Sequence, residues 1–228
     1  MEYAIRFNSS MSQLLLIRHG ENDYTRKGKL AGWTPDVHLN DVGRAQAQAL
    51  AEKLAHAPIK AIYSSPLERA FETALPLAKA KGLTIHKRSD IGEVRYGEWT
   101  GKSLKLLART KLWQVVQKQP SAMQFPNGET LRDVQSRAVN EIEKIVAAHP
   151  KDTVAIFSHG DIIKLVLAYY LGMPLDMFQR LAIHTASTSV VERRGSMPLV
   201  MKVNEQVVVK REKGETMETG KRRKQVDK

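Results

Sequence analysis

Two short stretches constrain this chain more than any other feature. "QLLLIRHG" (13–20) and "DTVAIFSHG" (152–160) are continuous apolar runs that each end on a histidine and a glycine. A brief apolar run without polar alternation suits a strand buried on both faces, as in a parallel sheet covered by helices. Polar residues at the carboxyl end of such a strand fall where α/β sheets collect their functional groups.

The intervening sequence supplies the helices that such a sheet needs. "LNDVGRAQAQALAEKLA" has Asn40 as an N-cap and apolar residues at helical spacing through Leu54. "KAIYSS" reads as a second strand. Pro66, tolerated in a first helical turn, opens the helix "PLERAFETALPLAKAKG", and Gly82 suits its C-terminal end. "LTIHKR" is a third strand. After it come a glycine-rich irregular segment, "IGEVRYGEWTGKS", one or two short helices up to Gln119, and a long amphipathic helix in "PNGETLRDVQSRAVNEIEKIVAAH". "DIIKLVLAYYLG" reads as a buried helix, and "ASTSVVERR" and "LVMKVN" as closing strands. This alternation predicts an α/β fold, a three-layer α/β/α sandwich with a mostly parallel central sheet. One domain spans residues 12–205, after an N-terminal extension (1–11) and before a basic tail (206–228).

Composition narrows the function. With 42% apolar and 26% charged residues, the 228-residue chain can build a single sizeable core. The absence of cysteine excludes disulfides, a thiol nucleophile and cysteine-ligated zinc. No apolar run approaches the length of about 18 residues that a membrane span needs, and "MEYAIRFNSS" lacks the hydrophobic region of a signal peptide. The expectation is a soluble, cytoplasmic protein with no membrane partner. The net charge is +12, but residues 210–228 hold eight Lys or Arg against four Asp or Glu, which assigns +4 to an aperiodic segment read as a disordered tail. The remaining +8 is spread without interleaved aromatics, so the body offers no nucleic-acid face and the tail is the one exception to weigh; a basic surface equally suits a small anionic substrate.

Five residues at the expected strand ends suit one kind of ligand. Arg18 and His19 follow the first strand, Arg69 lies in the helix after "YSSP", Glu93 sits in the loop after "LTIHKR", and His159 with Gly160 ends "DTVAIF". Two arginines can grip phosphate oxygens through charge-assisted hydrogen bonds. The helix starting near Gly160 adds backbone donors. A neutral His19, held by a hydrogen bond from its other ring nitrogen to a main-chain carbonyl, can attack phosphorus. A partly buried Glu93 can protonate the leaving oxygen and then activate water, while His159 donates to a non-bridging oxygen. Glu98 is the substitute acid.

The chain resembles the histidine phosphatase superfamily, in its phosphoglycerate-mutase-like branch. "LLLIRHGEN", "HLNDVGRAQAQAL", "IYSSPLERAFETA", "EVRYGEWTGKS", "FPNGET" and "IFSHGDIIK" are similar to six family motifs in the family's order, over about residues 13–205. The resemblance implies His19 as the phosphorylated nucleophile, Arg18, Arg69 and His159 as phosphate ligands, and Glu93 as acid and base. Thr25 stands where many relatives carry asparagine, six residues after the nucleophile, and Asp161 replaces the usual glycine or alanine after the second His-Gly. The short segment between Glu93 and "FPNGET" lacks the inserted basic loop of glycolytic mutases, which favours hydrolysis.

Asn22, Thr25, Trp33 and His184 are candidates for the substrate pocket, with Tyr96 and Trp99 either shaping it or packing beneath it. No histidine spacing fits a metal, and no cofactor is expected. The leading reading is a metal-independent phosphomonoester phosphatase acting on a small phosphorylated metabolite. A phosphoglycerate-type mutase and a non-catalytic phospho-ligand sensor are the alternatives, and a homodimer is left open.

Overall fold

The two apolar runs lie side by side. In the computed structural model, which describes residues 11–195 and 197–209, β1 (Ser12–Arg18) pairs in parallel with β4 (Thr153–Ser158), with Arg18 opposite Ser158. The two His-Gly pairs therefore leave adjacent strands at the same level. β2 (Ile59–Ser64) borders β4 on its other side, and β3 (Ile85–Lys87) forms one sheet edge. β5 (Thr188–Arg194) runs antiparallel to β1, and β6 (Met197–Glu205) closes the other edge. The strand order is β3-β2-β4-β1-β5-β6, with β5 alone reversed.

Burial on both faces explains the unbroken apolar runs. Leu14, Leu16, Val154 and Ile156 enter one core; Leu15, Ile17, Ala155 and Phe157 enter the other. The second core is covered by α2 (Asp41–Lys53) and α3 (Glu68–Lys81). The first is covered by α6 (Leu131–Ala148) and α7 (Gly160–Tyr170). Truncating the fully buried Phe157 to alanine is worth about 3–5 kcal/mol on the usual scale of core cavities.

Local signals hold, with shifts at the ends. Asn40 caps α2 by accepting from the Gly43 amide. Helix α3 begins at Glu68, two residues after Pro66, and Gly82 closes it in the left-handed conformation. The expected strand "LTIHKR" shrinks to three residues, since it pairs only on one side and its last two are exposed. "PNGE" is a turn with Asn127 left-handed, and α6 starts behind Thr130, whose hydroxyl accepts from the Asp133 amide. Three short helices complete the fold: α1 (Asp23–Arg26), α4 (Leu104–Leu107) and α5 (Lys111–Lys118). The tail from residue 210 and all but the last residue of the expected N-terminal extension lie outside the described residues.

Candidate active site

Sheet register puts the two histidine rings together, with centroids 5.2 Å apart. His19 is almost fully buried, and its Nδ1 lies 2.7 Å from the Gly20 carbonyl. A carbonyl only accepts, so Nδ1 carries the proton and Nε2 keeps its lone pair. Burial, then the charges of Arg69 and Arg18, hold the imidazole well below its ordinary pKa, which keeps it neutral. The expected tautomer lock is therefore present.

The loop carrying His19 is clamped by backbone contacts. The Gly20 amide donates to the Thr73 hydroxyl (2.9 Å), which itself donates to the Arg69 carbonyl (2.6 Å). A Cβ on Gly20 would lie 2.8 Å from the Gly43 carbonyl, and one on Gly43 would lie 2.0 Å from the Glu21 carbonyl. The start of α2 can approach this loop only because both residues are glycine.

Both arginines are anchored at one end and unpartnered at the other. Arg18 Nη1 donates to the Ile183 carbonyl (2.6 Å), and Arg69 Nη2 to the Gly32 carbonyl (2.9 Å). Arg18 Nε, Arg69 Nε, Arg69 Nη1 and Asn22 Nδ2 are buried without a hydrogen-bond partner among the described residues. Gly160 lies against the Arg18 guanidinium, where a Cβ would come within 3.2 Å. Four N–H-bearing atoms left idle beside a neutral imidazole call for an anion.

His159 is fully buried, with Nε2 2.8 Å from Ser65 Oγ and Nδ1 3.3 Å from Arg69 Nη2. Its Nδ1 also lies 3.8 Å from Glu93 Oε2. Glu93 is pushed up to about 7, first by burial and then by the Asp161 carboxylate, against the opposing pull of Arg69. Near neutrality this carboxyl therefore exists in both forms, as an acid that later serves as base requires. Its main chain is fixed by Trp33 Nε1 (2.6 Å) and Arg137 Nη2 (3.1 Å), both donating to the Glu93 carbonyl. Arg137 also binds the Gly92 and Asp90 carbonyls and Glu129, so α6 staples the acid's loop to the "PNGE" turn.

A cavity of about 380 Å³ opens above these groups, lined by Arg18, His19, Arg69, Glu93 and Gly160 among others. The pocket candidates divide. Asn22 and Thr25 line the cavity, with the Thr25 hydroxyl engaged in a capping box with Asn22. Two assignments need correction. Trp33 does not line the cavity: its ring carries the Arg95 guanidinium at 3.8 Å and it supports Glu93 from outside. The loop of His184 borders the site through its backbone, but the imidazole turns away to the Asn204 amide, 2.6 Å off. Tyr96 and Trp99 do line the cavity, and the Tyr96 hydroxyl donates to Asp161 (2.9 Å). Sequence reasoning passed over Ser65, Thr73 and Arg137. The first two sit in the "SSPLERAFET" motif that marked Arg69; Arg137 is indistinguishable from any charged residue of an amphipathic helix.

One buried and one half-buried arginine, two histidines whose burial keeps them neutral and one protonatable carboxyl at the carboxyl ends of the parallel strands define a phosphoryl-transfer enzyme. The histidine phosphatase superfamily (branch 1) matches residues 14–206, and the chain belongs to it. The chain is 30% identical over 199 residues to phosphoserine phosphatase 1 of Hydrogenobacter thermophilus, covering 85% of this chain and 92% of that one. It is 30% identical over 172 residues to a glucosyl-3-phosphoglycerate phosphatase of Mycolicibacterium vanbaalenii, covering 72% and 76%. A mycobacterial glucosyl-3-phosphoglycerate phosphatase solved with VO3 superposes with a TM-score of 0.77 at 26% identity, covering 85% of this chain and 99% of that one. The activity class is phosphoric monoester hydrolase. No helix among the described residues is long and apolar enough to cross a membrane.

Proposed function

We propose that the chain hydrolyses small phosphomonoesters through a phosphohistidine on His19, with no metal in the reaction. One observation carries this reading: the unpartnered N–H groups of Arg18 and Arg69 surround an imidazole whose Nε2 lone pair is fixed. The dianion satisfies those donors, and the two guanidinium charges supply the stabilisation that a divalent cation supplies elsewhere.

Nε2 of His19 attacks phosphorus in line as the bond to the leaving oxygen breaks. Glu93, protonated, gives its proton to that oxygen. The resulting carboxylate takes a proton from water, the water oxygen attacks phosphorus, and the phosphorus–nitrogen bond breaks to return neutral His19 and inorganic phosphate. A guanidinium only donates, so His159 Nδ1 accepts from Arg69 Nη2 (3.3 Å) and Nε2 carries the proton, donating to the Ser65 hydroxyl (2.8 Å), which also accepts from the Leu67 amide (3.3 Å). The donation to a non-bridging oxygen expected of His159 falls instead to Arg69, whose free Nε and Nη1 the imidazole helps to aim.

The test is phosphate release from a phosphomonoester panel in EDTA, together with trapping of an acid-labile, alkali-stable phosphoprotein during a single turnover. Release and trapping by the wild type, both lost in His19→Ala, are expected. Full release in His19→Ala, or abolition by EDTA, would overturn the reading.

A further inference from the structure

The half of the cavity away from the phosphate groups is walled by apolar and aromatic side chains: Leu30, Trp99, Leu104, Trp113, Val116 and Phe125. Trp99 and Trp113 stack with centroids 6.1 Å apart and planes 26° apart, and Phe125 meets Trp99 edge to face at 5.4 Å. The wall is braced from two sides. The Leu30 amide donates to the Lys102 carbonyl (3.0 Å), the Gly101 amide to the Leu30 carbonyl (2.7 Å), and the Leu104 amide to the Gly28 carbonyl (2.8 Å). Thr110 and Ser103 cap the two short helices that carry Leu104, Trp113 and Val116.

Of the charged groups lining this half, Asp161 and Lys164 are committed to one another, while Lys29 is exposed to solvent. Asp161 accepts from Tyr96 and pairs with Lys164 at 3.4 Å, and Lys164 also donates to Gln179 (3.1 Å). A leaving group bearing a carboxylate here meets Asp161 and must share Lys164 with it, and the remaining cation, Lys29, is solvated. A neutral ring instead covers apolar surface and stacks on an indole. At about 380 Å³ the cavity is of the size that takes ligands well beyond a three-carbon chain.

We infer that the leaving group this pocket selects is an uncharged alcohol carrying an aromatic or similarly flat ring, seated against the Trp99–Trp113 wall. The inference rests on the phosphatase reading and names the substrate class of the same site.

Ethyl, benzyl and 2-(2-naphthyl)ethyl phosphate share an alkyl leaving oxygen and differ in the ring, so their kcat/KM values report the wall rather than leaving-group acidity. The expected result is a rise of at least about tenfold from ethyl to naphthylethyl phosphate, the scale of burying one ring. Phosphoserine and 3-phosphoglycerate should fall below benzyl phosphate. Trp113→Ala should bring the naphthylethyl-to-ethyl ratio close to one, and Trp113→Phe should restore part of it. A flat series in the wild type, or preference for the carboxylated substrates, overturns the inference while leaving the phosphatase intact. Hydrolysis of none of the five instead overturns the phosphatase reading. The wild-type series decides the question even if Trp113→Ala fails to fold.

Discussion

The floor of the site and its wall are built in different ways. The floor groups His19, Arg18, His159 and Arg69 emerge from the ends of β1 and β4 and from the start of α3, each tied to a rigid element by register or by a buried hydrogen bond. The wall comes from helices of four and eight residues and from a loop segment, held by caps and a few backbone bonds. A reaction that needs atoms placed within fractions of an ångström requires the first kind of support. Selection of a leaving group by apolar contact tolerates the second.

Removing the proposed nucleophile should break the floor outright. His19→Ala is expected to lower kcat on the order of 10⁴-fold or more, read as phosphate release, with no phosphoprotein trapped. Glu93→Gln comes next, at roughly 10²- to 10⁴-fold for alkyl phosphates and much less for p-nitrophenyl phosphate, whose leaving oxygen needs no proton. Comparing the two substrates separates proton donation from a general loss of structure. Arg69→Lys keeps the charge but loses the planar fork, and should cost about 10- to 100-fold in kcat/KM.

Asp161 joins floor and wall. Its carboxylate raises the pKa of Glu93 while binding Tyr96 and Lys164. The proposed mechanism needs Glu93 protonated, so turnover of alkyl phosphates should decline as pH rises through about 7. Asp161→Asn removes the negative charge but leaves Arg69 and Arg18 facing Glu93, which lowers the pKa of the acid. The alkaline limb of the pH–rate profile should then move to lower pH; an unmoved limb would show that Asp161 does not tune the acid. The smallest effect is expected outside both regions: His184→Ala, with its ring on Asn204, should leave kcat/KM within about twofold.

The legible parts of this protein are those where one residue type at one local spacing has one physical use. The paired apolar runs announced a doubly covered parallel sheet, Asn40 and Gly82 announced helix ends, and Arg18-His19-Gly20 announced a strand end with chemistry on it. Trp33 and His184 were misplaced because a tryptophan or histidine near a motif has no preferred direction until its neighbours are fixed. Arg137 was missed because its partners Asp90, Gly92, Glu93 and Glu129 lie on two separate loops.

By itself the sequence determined the fold class and the order of the main elements and singled out the candidates for nucleophile, phosphate ligands and acid, since all of these follow from periodicity and short motifs. Only the tertiary structure decided the His19 tautomer, the idle guanidinium N–H groups, the raised pKa of Glu93 and the aromatic wall. Those properties arise from burial and from contacts between segments far apart in the chain, and no local pattern encodes the distance between them.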